Sequence, residues 1–183
     1  MIHFDQVSKQ FAEQPLFTSV SFFLPKASYT CVYGEAGSGK TTLLKMIAGE
    51  VPPDHGTVTV NDMKLNSLPA DRVPFMRRQI GWVESQPLLL ENLSSAANVS
   101  MPLEIIGFDR RATQERTMAM LEQLGLGVIA DVAVQRLSDD QRWLIGCVRA
   151  AVHKPAVLLI DDPDAAVGNP ALTRQRKLSL IHI

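Results

Sequence analysis

Gly34-Glu35-Ala36-Gly37-Ser38-Gly39-Lys40-Thr41 satisfies G-x-x-x-x-G-K-[ST] in full, where the apolar run Tyr29 to Tyr33 gives way to a helical pattern. At average residue usage the four fixed positions coincide by accident in roughly one chain of this length in a hundred or more. Glycines let backbone N–H groups turn inward without a Cβ in the way, and the first turn of the next helix adds unpaired amides and its positive dipole end. Together these make a cradle for a nucleoside triphosphate, formed by Gly34, Gly37, Ser38 and Gly39. Lys40 then reaches the β- and γ-phosphates, Thr41 puts its hydroxyl on Mg²⁺, and Thr42 lies near the α-phosphate. The helix is predicted from about Gly39 to Ala48, with Leu43, Leu44, Met46 and Ile47 on its apolar face and Gly49 as its stop.

The chain of 183 residues, 46% hydrophobic and 20% charged, has room for one soluble domain with a real core. A formal net charge of −1 provides no global field that would favour nucleic acid or an anionic bilayer, so no nucleic-acid partner is expected. Cys31 and Cys147 stand far apart with no clustered histidines, which argues against a zinc site or a disulfide framework. Cys31 reads as a buried reduced thiol, as in a cytosolic chain. No apolar stretch approaches 18 residues, so any membrane role is expected to run through a partner.

Further along, Ile2 to Phe4 and Ser19 to Leu24 read as strands around a turn at Ala12 to Gln14. Thr57 to Val60 followed by Asn61-Asp62 reads as a strand entering a hairpin. These segments predict a small antiparallel layer. Ile80 to Val83 and Pro155 to Asp161 read as further strands, the second apolar on both faces. From about Leu88 to Gln135 the pattern is helical, with Met118, Leu121 and Leu124 on one face and Gly125 as a cap. A phosphate loop after one strand and Asp161 at the end of another predict a parallel α/β sheet with the site at the carboxyl ends of its strands. Asp161 is then in position to hold Mg²⁺ through water.

Over about residues 1 to 169 the chain resembles the ATP-binding cassette (ABC) family. Phe11 stands where that family has the aromatic residue that stacks on adenine. Leu137-Ser138-Asp139-Asp140-Gln141 stands where it has its LSGGQ signature, and Lys154 to Pro163 resembles the strand carrying the Mg²⁺ aspartate and the catalytic acid. Within the family the chain resembles a cell-division branch through Phe4-Asp5-Gln6-Val7-Ser8-Lys9, Val73 to Gly81, and Asn98-Val99-Ser100-Met101-Pro102-Leu103.

The resemblance implies an α/β P-loop NTPase core with a mainly parallel sheet, a small antiparallel N-terminal β layer and an inserted helical subdomain. Residues 1–177 form one nucleotide-binding domain, with 1–87 and 136–177 as core and 88–135 as the subdomain. It further implies ATP and Mg²⁺ as ligands, a nucleotide-sandwiched homodimer, and Ser138 of the signature on the nucleotide held by the opposite subunit. The subdomain docks an integral membrane partner, so the chain is expected to be cytoplasmic and peripheral on the inner face of the plasma membrane. Leu88, Leu89, Leu90, Met101, Leu103, Ile105 and Ile106 are candidates for the apolar docking groove, and about two of these seven are expected to face the partner.

Several residues depart from the family pattern at its chemical positions. Ser85 takes the place of the loop glutamine that touches Mg²⁺ and the attacking water, with Gln86 one position late. Asp162 replaces the glutamate that polarises water and is the candidate general base; a carboxylate about 1 Å short can cost ~10²-fold where positioning matters. Asp139 and Asp140 replace the two signature glycines. A carboxylate near 4 Å from a phosphate costs about 4 kcal/mol per charge pair at an effective dielectric of ~20, which disfavours closing of the sandwich. Gly168 stands where the family has the aspartate linking the two sites of the dimer. Finally, Leu178-Ser179-Leu180-Ile181-His182-Ile183 matches one reading frame of a transposon-end adapter used in sequencing libraries, and the natural chain is expected to continue past about Lys177.

Overall fold

A computed structural model describes residues 1–161 and the backbone of residues 177–182. Its first layer is antiparallel, in the order β2-β1-β4-β5. The strands are β1 (Ile2–Phe11), β2 (Gln14–Leu24), β4 (His55–Val60) and β5 (Met63–Lys64). The turn between β4 and β5 is the predicted Asn61-Asp62 pair, both with positive φ (46° and 66°), as a two-residue hairpin requires. β1 and β2 are longer than their sequence suggests. Their pairing carries irregularities between Phe4 and Val7, Val7 and Lys9, and Lys9 and Gln10.

The second sheet has the order β3-β8-β7-β6, formed by β3 (Tyr29–Gly34), β6 (Ile80–Val83), β7 (Val157–Asp161) and β8 (Lys177–His182). β6 and β7 are parallel, and β8 is antiparallel to both β7 and β3. Thus β3, β7 and β6 run in one direction, as expected, and their carboxyl ends lie on one side of the sheet. The segment read as adapter-encoded supplies most of β8, a place in the sheet that the sequence reading does not foresee.

Helix α1 (Lys40–Ile47) lies between the two sheets. Leu44, Met46 and Ile47 are buried with Ile2, Phe4 and Val7 of β1, Val58 and Val60 of β4, and Val157 and Leu159 of β7 in one cluster. The short α2 (Val73–Arg77) adds Met76 to the same core. A second, separate cluster lies among the helices. It joins Val99 and Leu103 of α3 (Ser95–Ile105), Leu121 of α4 (Arg110–Gln123), and Ile145 and Val148 of α5 (Asp139–Ala151).

The buried positions on α4 are Thr113, Thr117 and Leu121. Met118 packs against the cluster from the side, and Leu124 is 54% exposed, which corrects the predicted apolar face. Steps of three drift around a helix of 3.6 residues per turn, whereas steps of four stay closer to one line. Gly125 ends α4 as predicted, with φ 70° and the N–H of Leu126 bonding back to Leu121 O.

The approach of the chain to α3 is fixed by a buried polar side chain, Asn98. Its Oδ1 accepts from Leu90 N–H at 2.7 Å, and its Nδ2 donates to Leu90 O at 3.1 Å and Ser94 O at 3.0 Å. Asn98→Ala removes all three hydrogen bonds of a fully buried side chain and leaves both backbone groups of Leu90 without these partners. We expect a loss of about 3 kcal/mol, read as a urea midpoint lower by about 1 M. No helix among the described residues is long and apolar enough to cross a membrane.

Candidate nucleotide site

The phosphate loop leaves β3 at Gly34 and enters α1 through Gly39. Gly39 has φ 94°, a region that side chains with a Cβ rarely adopt. A Cβ there would also stand 2.7 Å from Phe17 Cζ and 3.0 Å from Leu16 Cδ2. The loop is therefore pressed against β2, which is how the antiparallel layer takes part in shaping the site.

A cavity of about 420 Å³ opens above the loop, lined by Phe11, Leu16, Ala36, Gly37, Gly39, Lys40, Thr41, Thr42, Ser85 and Asp161. Most residues proposed from sequence meet here. Phe11 is half exposed at its edge rather than packed in a core. Lys40 is 9% exposed, and its Nζ donates to Gly34 O at 2.9 Å, Glu35 O at 2.8 Å and Ser38 Oγ at 3.3 Å. Gly34 and Ser38 thus act on the site by holding Lys40. Thr41 Oγ1 donates to Asp161 Oδ2 at 2.7 Å, closing a gap of 120 residues in sequence. A hydroxyl and a carboxylate oxygen side by side, with Asp161 only 8% exposed, suit a hard cation such as Mg²⁺.

Ser85 lines the cavity, and Gln86 is not among its lining residues. Ser138 is not brought to this cavity. Its Oγ accepts from Gln141 N–H at 3.3 Å, and Gln141 Oε1 accepts from Ser138 N–H at 3.0 Å, a capping box that starts α5. Asp139 and Asp140 occupy the first turn of that helix. Asp162 and Gly168 lie outside the described residues. Leu16 and Ala36 escaped the sequence reading. Ala36 sits at a free position inside the motif, and Leu16 at an ordinary strand position.

A second groove, about 480 Å³, lies where α3 meets the sheet. It is lined by apolar side chains that include Trp82, Met101, Ile105 and Ile106, and by the basic Arg77, Arg78, Arg149 and His153. Burial, followed by the charge of Arg116, holds the His153 imidazole below its ordinary range. Of the seven candidate docking residues, Met101, Ile105 and Ile106 line this groove. Leu88 and Leu90 are exposed elsewhere, and Leu89 and Leu103 belong to the second buried cluster.

Three comparisons bear on this geometry. The profile of the family described as ABC transporter matches residues 17–165. The chain is 37% identical over 165 residues to the Cell division ATP-binding protein FtsE of Haemophilus influenzae, covering 89% of this chain and 76% of that one. It is 36% identical over 167 residues to the Methionine import ATP-binding protein MetN of Rhodopseudomonas palustris, covering 91% of this chain and 45% of the relative. Among solved structures, the dimeric MJ0796, a bacterial ABC transporter cassette, superposes with a TM-score of 0.80 at 26% identity, over 91% of this chain and 76% of that chain. The phosphate loop, the Thr41–Asp161 pair and the profile match agree: the chain belongs to the ABC transporter family, as one of its ATP-binding cassettes.

Proposed function

We propose that the chain is the nucleotide-binding subunit of a cell-division membrane complex of the FtsE and FtsX kind, binding Mg-ATP and hydrolysing it slowly or conditionally. The observation that carries the nucleotide half is the meeting of Lys40, Thr41 and Asp161 in one cavity with Phe11 at its edge. The branch is supported by the similarity to FtsE over most of the chain. Lys40 and the loop amides neutralise the triphosphate, and Phe11 stacks on the base. Thr41 and Asp161 hold Mg²⁺, which when bound neutralises charge on the β- and γ-phosphates. Asp162 orients and deprotonates the attacking water.

The basic, apolar groove along α3 is the surface on which an FtsX-like integral membrane partner docks, at the inner face of the plasma membrane. Two such subunits form a homodimer around the nucleotides, a reading supported by the dimeric cassette it superposes on. The similarity to MetN favours a second reading, in which the partner is a transporter. The carboxylates at the start of α5 favour a third, an ATP-dependent scaffold whose occupancy shifts the subdomain without turnover.

Steady-state phosphate release from the full-length protein reconstituted with its membrane partner separates the enzyme from the scaffold. A rate that falls at least tenfold in Asp162→Ala supports the enzyme. A rate no higher than background leaves the scaffold.

A further inference from the structure

The edge of the nucleotide cavity is built on an ion pair that does not itself reach the cavity. Lys9 and Phe11 project on the same side of β1, and Lys9 Nζ lies 5.3 Å from the centroid of the Phe11 ring. The Lys9 side chain is only 11% exposed, and its ammonium donates to Asp54 Oδ1 at 2.7 Å. The other oxygen of that carboxylate, Oδ2, accepts from Gln10 N–H at 2.8 Å, and Asp54 N–H donates to Ser8 O at 2.9 Å. The hydrogen bond from Lys9, then that from Gln10, holds the Asp54 carboxyl below its usual range.

One aspartate in the loop before β4 therefore grips the backbone on both sides of Lys9 as well as its ammonium. This matters because Phe11 is the last residue of β1, followed at once by Ala12 and Glu13 with φ 45° and 68°. Half-exposed aromatics at hairpin tips are ordinarily mobile. Phe11 lines the cavity and Lys9 does not, while the Lys9 ammonium lies over the Phe11 ring.

We propose that Lys9 and Asp54 are positioning residues for the nucleotide base: the pair fixes Phe11 as a stacking platform, and the Lys9 cation draws electron density from the ring so that its open face favours an electron-rich purine. The inference rests on the reading that Phe11 receives the base. It confines the effect to the base half of the ligand, since no atom of the pair lines the phosphate loop.

Competition titrations of the full chain with ATP and with inorganic tripolyphosphate, against a fluorescent ATP analogue, test it. Phe11→Ala is expected to weaken ATP about tenfold, the order of one base-aromatic stack. Lys9→Met and Asp54→Asn are each expected to weaken ATP several-fold, with tripolyphosphate affinity at the wild-type value throughout. The double variant Lys9→Met/Phe11→Ala binds no more weakly than Phe11→Ala, and Lys9→Arg, which keeps both cation and ring contact, binds as wild type. Wild-type ATP affinity in Lys9→Met and Asp54→Asn, beside a loss in Phe11→Ala, overturns the positioning role and leaves the stacking reading standing. An equal loss for tripolyphosphate also overturns it, since the pair then merely supports the fold. Unchanged ATP affinity in Phe11→Ala removes the stacking reading and the inference together.

Discussion

Lys40→Ala is expected to abolish ATP binding, with no heat detectable in a calorimetric titration at concentrations that saturate the wild type. The ammonium is nearly buried, and every hydrogen bond it makes is to the loop that faces the ligand. In such a setting a charge pair at 4 Å is worth about 4 kcal/mol at an effective dielectric of ~20, roughly a thousandfold in affinity before any geometric loss. Removing it also releases the carbonyls of Gly34 and Glu35, whose direction sets the curve of the loop. Lys40→Arg is the informative companion: it keeps the charge but not the compact head, and should bind weakly rather than not at all. Unchanged affinity in Lys40→Ala, with an unfolding midpoint like that of the wild type, would falsify the assignment of the loop.

The second large effect concerns the start of α5. Asp139→Gly with Asp140→Gly should raise ATP-dependent dimerisation by tenfold or more, seen by sedimentation velocity with ATP and Mg²⁺. The helix begins with a complete capping box, so its own amides are well served, and the two carboxylates add favourable charge at the dipole's positive end. For the isolated chain that is stabilising by a few tenths of a kcal/mol each. In a sandwiched dimer the same end of the helix meets a triphosphate, and two negative groups there oppose contact. The double glycine variant should therefore melt earlier yet associate more tightly. Asp139→Asn with Asp140→Asn, which removes charge without loosening the backbone, should give most of the gain. A dimer constant indifferent to both pairs of substitutions would show that these aspartates lie away from the phosphates of the opposite subunit.

Much of this architecture could be read from local signals. The phosphate loop and α1 are specified within fifteen residues by glycines, one lysine and an apolar face. Asn61-Asp62 announces its hairpin, and Ile80–Val83 has the bounds expected of it. Asp161 meets Thr41 because Asp161 ends β7 while Thr41 opens the helix that follows β3, and the two strands run the same way, which the apolar-then-acidic pattern implied. Other features were hidden for physical reasons. Left-handed Gln6 and Ser19 interrupt β1 and β2, so the two-residue alternation that marks a strand is broken inside them. The α4 core face uses two threonines, which a search for apolar spacing passes over. The Lys9–Asp54 pair spans 45 residues, and nothing near either residue announces the other.

The hold of the phosphate loop on Lys40 has a thermodynamic consequence. A free lysine carries about 2 kcal/mol of rotamer entropy, which an anion must ordinarily take away on arrival. Here the side chain is already immobilised by its own loop when the protein folds. The incoming phosphate therefore meets a preorganised cation and exchanges neutral acceptors for charged ones, so that more of its electrostatic attraction survives as affinity.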